Sequence, residues 1–323
     1  MRLPTFIHRR PTDLAGVVSS LTEGPGAKVL AGGTDLLVNM KHRVEMPETL
    51  VSLKGVADIR GIFPEGDAVV IGAATTLKAI RNDSRLEKRF PALVQASMSV
   101  GSYRHQAMGT LGGNLCQNTR CRFFNQSWQW RKARSLCFKA GGEECHVIRK
   151  KQICFSTYSG DMAPALLVLD ASLRIMGPGG LREVPLAALY SGDGQSPLTL
   201  GRGEFVTAVI IPGAAARGKS RYEKFSLRGS IDFPIVGAAL WLGEGVARVA
   251  YTGVDRAPVR AAELETALAG KKITDSVLKE CATLAHKAAR IAPTSVHPVS
   301  FKRELMGALL WKAMRAIGGT GTT

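Results

Sequence analysis

The cysteines of this chain are concentrated in one stretch, since five of the six lie between Cys116 and Cys154. Cys121, Cys137, Cys145 and Cys154 are separated in turn by 15, 7 and 8 residues. Thiols gathered on one loop can converge on a single point, and thiolates suit zinc or iron–sulfur centres. The stretch therefore predicts a long irregular loop that folds around a shared site.

Three interpretations of these four cysteines compete. Disulfides require an oxidising compartment, and the polar start of the chain lacks the apolar region of a secretory signal. Zinc sites usually contain paired C-x2-4-C motifs, and the loop has none. A [4Fe–4S] cluster takes four thiolates and tolerates irregular spacing, although spacing alone does not select it. Cys116 and Cys281 are instead interpreted as buried, small apolar residues.

The charge balance is strongly basic, with 43 Lys and Arg against 26 Asp and Glu, a net charge of +17. Such a surface attracts anions, including nucleic acid, headgroups or an acidic protein. Two basic clusters, 131–134 and 149–151, lie inside the cysteine loop, and a solvated basic surface is the alternative interpretation. No run of 18 apolar residues is present, so we expect no membrane association and a cytoplasmic protein.

Two glycine-containing loops have the character of an anion cradle. A short apolar strand ending at Ala31 runs into Gly32 and Gly33, and Thr34 can then cap a helix. Glycines allow close backbone approach, and free N–H groups at a helix start point at a phosphate. Residues 109–114 form a second loop of small residues. A plain tight turn remains the alternative for the first loop.

Hydrophobic periodicity supplies the remaining elements. Helices are predicted at 12–22, 75–80, 85–98, 259–269, 274–291 and 299–317. Strands are predicted at 50–53, 68–72, 165–169, 173–176, 205–211, 221–225, 235–242 and 247–253. A linker is expected at 213–218, and the tail at 318–323 is expected to fray.

Three segments occur in one order along the chain: Ala31–Leu36, Thr110–Asn114 and Ser159–Leu166. Together they resemble the FAD-binding subunit of molybdenum hydroxylases, the xanthine dehydrogenase and carbon monoxide dehydrogenase group. The resemblance implies an α+β fold with an FAD-binding domain at 1–217, made of subdomains 1–55 and 56–217. A C-terminal domain with a small antiparallel sheet and helices would occupy 218–323.

The resemblance also implies cofactor contacts. Residues around the first loop would wrap the FAD pyrophosphate, and residues of the second loop would close on it. Asp161 would accept a hydrogen bond from a cofactor hydroxyl or from the loop that binds it; a helix or turn cap is the alternative. The implied cofactor-binding residues are Val29, Leu30, Ala31, Gly32, Gly33, Thr34, Asp35, Leu36, Thr110, Gly113, Asn114, Asn118, Asp161, Tyr190 and Lys224. No catalytic residue is predicted.

Most members run almost directly from the second glycine loop to the Asp161 segment, whereas this chain inserts 117–156. An insert with four cysteines there looks like the β subunit of the 4-hydroxybenzoyl-CoA reductases, where it carries a [4Fe–4S] cluster. The resemblance thus implies Cys121, Cys137, Cys145 and Cys154 as ligands, with His146 beside the metal but not on it.

The implied activity is electron relay within a molybdenum enzyme. Electrons would pass from reduced ferredoxin through [4Fe–4S] and FAD to [2Fe–2S] and molybdenum, where 4-hydroxybenzoyl-CoA would be dehydroxylated to benzoyl-CoA. The implied partners are a molybdopterin-containing large subunit and a [2Fe–2S] small subunit, assembled as a dimer of heterotrimers. The basic residues of the insert would dock the acidic ferredoxin.

Three other functions remain open. The chain could serve a molybdenum hydroxylase that oxidises aldehydes or purines. It could be a stand-alone flavin oxidoreductase, although no nucleophile or acid–base pair supports that. It could also be a basic nucleic-acid-binding protein with a zinc loop, in which Phe123, Phe124, Trp128 and Trp130 stack on bases. No recognisable binding module supports nucleic acid as a partner, and we favour these aromatics as a shield around a cluster.

Overall fold

The computed structural model describes residues 2–23, 26–149 and 151–318. Its first sheet is parallel and has three strands in the order β1-β3-β2. The strands are β1 (Ile7–Arg9), β2 (Ala27–Leu30) and β3 (Thr49–Ser52), and the connecting helices are α1 (Leu14–Thr22) and α2 (Leu36–Lys41). The Asp13 side chain begins α1 by accepting a 2.7 Å hydrogen bond from the Gly16 backbone N–H.

The second sheet is antiparallel, with five strands in the order β4-β5-β8-β6-β7. These strands are β4 (Ile62–Glu65), β5 (Ala68–Gly72), β6 (Ser172–Gly177), β7 (Gly180–Pro185) and β8 (Phe205–Ile211). Seven helices lie between β5 and β6: α3 (Leu77–Arg81), α4 (Ser84–Arg89), α5 (Pro91–Ser99), α6 (Tyr103–Met108), α7 (Leu111–Leu115), α8 (Trp128–Lys132) and α9 (Met162–Val168). All but α8 and α6 contribute buried apolar side chains to one core with this sheet.

The third sheet is also antiparallel and has the order β12-β11-β10-β9. It consists of β9 (Lys219–Phe225), β10 (Val236–Gly243), β11 (Val246–Thr252) and β12 (Val259–Arg260), followed by α10 (Ala262–Leu268), α11 (Asp275–Ala285) and α12 (Val299–Gly318). The helices cover one face of the sheet and enclose a separate core that contains Cys281. Helix α9 joins the core of the second sheet to the third sheet, because all seven of its residues are buried and it packs against β10 and β11.

Two predicted elements are wrong. Residues 165–169 belong largely to α9 and not to a strand, because a short apolar run fits a buried helix as well as a buried strand. The helix predicted at 85–98 is two helices, broken at Phe90 where Pro91 begins α5; proline lacks the N–H that would continue the hydrogen-bonding pattern. The linker at 213–218 is mostly a 3-10 helix, Gly213–Arg217.

The predicted α+β fold class is confirmed by these three sheets and their helices. The predicted frayed tail lies outside the described residues after Gly318. Across the part of the chain that the structure describes, no helix is both long and apolar enough to cross a membrane.

The cysteine insert leaves the second-sheet core after α7 and returns at α9. Its two ends are held together by a pair of backbone hydrogen bonds, each 2.7 Å, between Arg120 and Thr157. Over the described residues inside this stem, 121–149 and 151–156, the chain is irregular apart from α8 and a 3-10 helix, Phe138–Ala140. The insert is therefore a closed loop beside α2.

Candidate cofactor site

A cavity of about 910 Å³ lies where the first sheet, the loop before α7 and the start of α9 meet. Its volume falls at the upper end of the range for ligand pockets, roughly 300–1,000 Å³. Thirteen of the predicted cofactor-binding residues line it: Val29, Leu30, Ala31, Gly32, Gly33, Thr34, Asp35, Leu36, Thr110, Gly113, Asn114, Asn118 and Asp161. Two glycine loops that are far apart in sequence therefore share one wall.

Gly32 and Gly33 explain how the two loops come so close. A Cβ on Gly32 would lie 2.0 Å from the carbonyl oxygen of Met108, so only glycine permits the second loop to pack there. Gly33 has φ of 73°, a left-handed conformation that other residues adopt at a cost. The backbone turns at Gly33 into α2. Thr34 does not cap that helix as predicted: Asp35 occupies the N-cap position and makes no capping bond.

The second predicted loop, 109–114, is largely helix in the structure, since α7 spans Leu111–Leu115. Its own polar side chains hold this segment in place. The Thr110 hydroxyl accepts a 3.1 Å hydrogen bond from Gly113 N–H and so caps α7. The Asn114 carboxamide oxygen accepts one from Met162 N–H at 3.0 Å. This bond ties α7 to the first turn of α9, which begins after Asp161.

Asp161 is buried where it lines the cavity and is held mainly by the C-terminal part of the chain. Its carboxylate accepts hydrogen bonds from Tyr222 Oη at 2.8 Å and Ser99 Oγ at 3.2 Å, and pairs with Lys224 Nζ at 3.2 Å. Burial raises the pKa of Asp161, while Lys224 acts in the opposite direction. Asp161 stands at the N-cap position of α9 without a capping bond, so its alternative interpretation as a helix cap is not observed.

Tyr190 and Lys224 are predicted cofactor contacts that the structure does not place among the residues lining the cavity. Tyr190 Oη lies 3.3 Å from both Tyr158 Oη and the Leu115 carbonyl oxygen, inside the wall. Lys224 Nζ donates to the carbonyl oxygens of Ser99 and Asp232, each at 2.9 Å. Both side chains are occupied by protein partners, so their contribution is to hold the wall in place.

The sequence analysis missed a set of contacts by which the insert holds α2. At the start of α2, Arg120 forms an ion pair with Asp35. The Arg120 guanidinium also stacks over the ring of Phe233, 3.8 Å from the ring centroid. At the end of α2, Arg131 donates to the carbonyl oxygen of Arg43 at 2.6 Å. A helix of six residues is marginal by itself, so these contacts stabilise the helix that follows the first glycine loop.

Further contacts of the same kind converge on Glu45, just beyond α2. Asn118 Nδ2 donates to Glu45 at 3.0 Å, and Lys28 forms an ion pair with it. Burial tends to raise the pKa of Glu45, but Lys28 and Asn118 outweigh it, and the pKa is lowered overall. The carboxylate therefore stays charged and links β2 to the insert.

The four cysteines proposed as ligands line one small cavity inside the insert. Phe123, Phe124, Phe138, Lys139, His146, Val147, Phe155 and Ser156 complete its lining, which contains no carboxylate. Trp128 and Trp130 lie outside it with about 42% and 36% of their surface exposed. The predicted aromatic shield is thus formed by phenylalanines and not by the two tryptophans. Cys116 lines the large cavity instead.

Burial is the largest influence on the pKa of two of these thiols. It raises the pKa of Cys121 to about 11 and also raises the pKa of Cys137. Among the described residues, no group of three Cys, His, Asp or Glu side chains is arranged to hold one metal ion.

Comparison with known families decides what the large cavity belongs to. Residues 5–214 match the FAD binding domain in molybdopterin dehydrogenase, and residues 220–317 match the CO dehydrogenase flavoprotein C-terminal domain. The chain belongs to the FAD-binding subunits of the molybdenum hydroxylase family. Its members are oxidoreductase subunits that bind FAD.

The similarity extends along most of the chain. It is 30% identical over 287 residues to the aldehyde oxidoreductase FAD-binding subunit PaoB of Escherichia coli, covering 85% of this chain and 90% of the relative. It is 28% identical to the carbon monoxide dehydrogenase medium chain of Afipia carboxidovorans, covering 96% of each. A crystal structure of Cu,Mo-CO dehydrogenase superposes with a TM-score of 0.80 at 26% identity, covering 99% of this chain and 100% of the other.

Proposed function

We propose that this chain is the electron-transferring FAD subunit of a molybdenum enzyme and that its insert carries a [4Fe–4S] cluster. The observation that carries the cluster is the convergence of Cys121, Cys137, Cys145 and Cys154 on one carboxylate-free cavity. Bound FAD would exchange one or two electrons with its partners, and the cluster one at a time. Free thiols of this kind persist in the reducing cytoplasm, where we place the protein.

The residues around the large cavity fit a flavin nucleotide. The Gly32–Gly33 turn exposes backbone to a phosphate, and Thr110, Gly113 and Asn114 face it from the second loop. In this proposal the first loop, from Val29 to Leu36, wraps the pyrophosphate. Asp161 orients a cofactor hydroxyl or its loop, while Lys224 and Tyr190 support the wall from behind.

The donor set of the small cavity fits a cluster in chemistry. Four thiols, four phenylalanines and the ammonium group of half-buried Lys139 make an apolar, electropositive surrounding for an anionic centre. The space between them is only about 20 Å³, close to the room of one water molecule. The thiols would therefore turn outward as the cluster enters, and Cys116 and Cys281 would take no part.

The enzyme we propose removes the phenolic hydroxyl of 4-hydroxybenzoyl-CoA and gives benzoyl-CoA. That reaction consumes two electrons and two protons and releases the hydroxyl as water. The substrate would lie on a molybdopterin-containing large subunit, and a [2Fe–2S] small subunit would connect it to this chain, in a dimer of heterotrimers. A ferredoxin would supply the electrons, and exposed Lys132, Arg134, Arg149 and Lys151 on the insert would attract its acidic surface.

The names of relatives favour a second candidate within the same family. PaoB serves an aldehyde oxidoreductase, and a xanthine dehydrogenase FAD-binding subunit of Escherichia coli O157:H7 is 27% identical over 234 residues. In an enzyme of that type electrons would leave the substrate and reach FAD. We also propose that the domain boundary follows residue 217, between the two family matches.

Metal and flavin analysis of the anaerobically purified complex tests this proposal. We expect about one FAD in this chain and, beyond the irons and sulfides of the [2Fe–2S] subunit, about four irons and four sulfides, with substrate-dependent oxidation of reduced ferredoxin. Zinc in place of these four irons, or neither metal in this chain, would refute the cluster. Iron with aldehyde or purine oxidation, and no turnover of 4-hydroxybenzoyl-CoA, would support the second candidate.

A further inference from the structure

Lys139 is a half-buried lysine in the insert that the family fold does not explain. It lies in the 3-10 helix Phe138–Ala140, two residues after Cys137. Its Nζ donates to the Gly194 carbonyl oxygen at 2.6 Å and the Thr119 carbonyl oxygen at 3.2 Å. It also contacts the hydroxyls of Thr119 and Ser156. Within the described residues this ammonium group forms no ion pair within 4 Å, so its direct partners are carbonyl and hydroxyl dipoles.

The position of Lys139 is between the two cavities. On one side it lines the small cavity with the four thiols, and the Ser156 hydroxyl that it contacts lies 3.2 Å from Cys154 Sγ. On the other side the hydrogen-bond partners of Lys139 belong to segments that reach the large cavity. Thr119 follows Asn118, and Gly194 precedes Gln195; Asn118 and Gln195 both line the large cavity.

The same wall is braced from the flavin side. Gln195 Nε2 donates to the carbonyl oxygen of Phe138 at 3.2 Å, which fixes the backbone beside Lys139. The Phe124 ring lies 5.3 Å from Nζ and shields it from solvent. The ammonium group is thus held in place by contacts with the insert and with the loop after Tyr190.

From this geometry we infer that Lys139 is a positioning residue that sets the reduction potential of the cluster on the neighbouring cysteines. The inference rests on the cluster in the proposed function. One-electron reduction adds a negative charge to that centre, and a fixed cation in a wall of low dielectric stabilises the reduced state more than the oxidised state. Lys139 therefore raises the potential, which makes the cluster a better acceptor for an incoming electron.

The test is a redox titration of the holoenzyme followed by electron paramagnetic resonance, with iron and flavin measured in the same samples. Lys139→Met removes the charge, and Lys139→Gln removes it while keeping a donor for Gly194. We expect both variants to lower the reduction potential by at least about 59 mV, which is a tenfold change in the one-electron equilibrium constant. Lys139→Arg, which keeps the charge, should lie closer to the wild type, and Lys279→Met at an exposed position on α11 should leave the potential unchanged.

The outcomes separate this inference from the proposed function. Full iron content with an unchanged potential in Lys139→Gln would overturn the role of Lys139 alone. A potential shift in Lys139→Arg as large as in Lys139→Gln would overturn the role of charge, since packing would then explain both. A wild-type protein without iron would refute the proposed cluster and this inference with it.

Discussion

The buried pair of Asp161 and Lys224 offers a quantitative test of how the C-terminal part of the chain supports the wall of the large cavity. The two side chains retain only 4% and 9% of their exposure. In Lys224→Met the carboxylate would keep the hydroxyls of Tyr222 and Ser99 but lose its only cation among the described residues. The carbonyl oxygens of Ser99 and Asp232 would each lose a donor.

The expected penalty follows from leaving one buried charge alone. Removal of one partner from a buried ion pair costs about 3–5 kcal/mol. At roughly 2–4 °C per kcal/mol for a unit of 150–250 residues, a loss of 3 kcal/mol lowers the melting temperature by roughly 6–12 °C. The double variant Asp161→Asn/Lys224→Met removes both charges and should lose much less than the sum of the single variants.

The pH dependence of this penalty has a definite sign. Burial raises the pKa of Asp161 above its ordinary value of 3.8, and Lys224 opposes that rise. Without Lys224 the native carboxyl binds a proton more readily than the unfolded one, so stability falls as pH rises above about 4. The penalty of Lys224→Met should therefore be larger at pH 7.5 than at pH 5.

Circular dichroism melts at both pH values, with flavin content measured alongside, provide the assay. Arg303→Met, an exposed position on α12, is the control for loss of a surface cation. A melting temperature within 2 °C of wild type at pH 7.5 would refute the reasoning. Additive losses in the double variant would show that the two side chains do not act as a pair.

Three further predictions follow from the same structure. Gly33→Val should lose FAD, because φ of 73° strains a β-branched residue and the new side chain enters the loop. Gly179→Val, at an open position, should keep FAD, and equal flavin content in both variants would contradict the assignment of this loop. Arg131→Met should weaken FAD binding about tenfold, because the segment after α2 loses the donor to the Arg43 carbonyl oxygen, whereas Lys132→Met at the exposed neighbouring position should not. Equilibrium dialysis measures the FAD affinity of both variants, and equal affinities would show that this contact of the insert does not support FAD binding. Rising salt should slow reduction by ferredoxin but not by a small neutral donor, since exposed charges are screened over roughly 8 Å at physiological ionic strength; stopped-flow rates with equal salt dependence would argue against docking on the basic insert.

The local parts of this fold were predictable because their signals are local. The strand before Gly32 and the turn at Gly33 depend on neighbours within a few residues. The strand prediction at 165–169 was wrong because burial of this segment on all sides removes the hydrophobic periodicity that distinguishes a helix from a strand. Tertiary position, not composition, makes it a helix.

The contacts that join the insert to the flavin cavity were not predictable in this way. Arg120 meets Asp35 across 85 positions of sequence, and Lys139 meets Gly194 across 55. The net charge of +17 suggested that arginines of the insert lie on the surface, yet Arg131 is buried against the end of α2. A single sequence shows which residues carry charge but not which of them folding removes from solvent.

The most direct test of the account is the iron content of single cysteine variants, purified anaerobically as the complete enzyme. Cys121→Ser, which removes a thiol that lines the small cavity, should lose most of the roughly four irons that a cubane adds to those of the [2Fe–2S] subunit. Cys116→Ser, which removes a thiol that faces the large cavity, should keep them. Loss of iron in Cys116→Ser with retention in Cys121→Ser would contradict the ligand set, and zinc in the wild-type protein would contradict the electron-relay function.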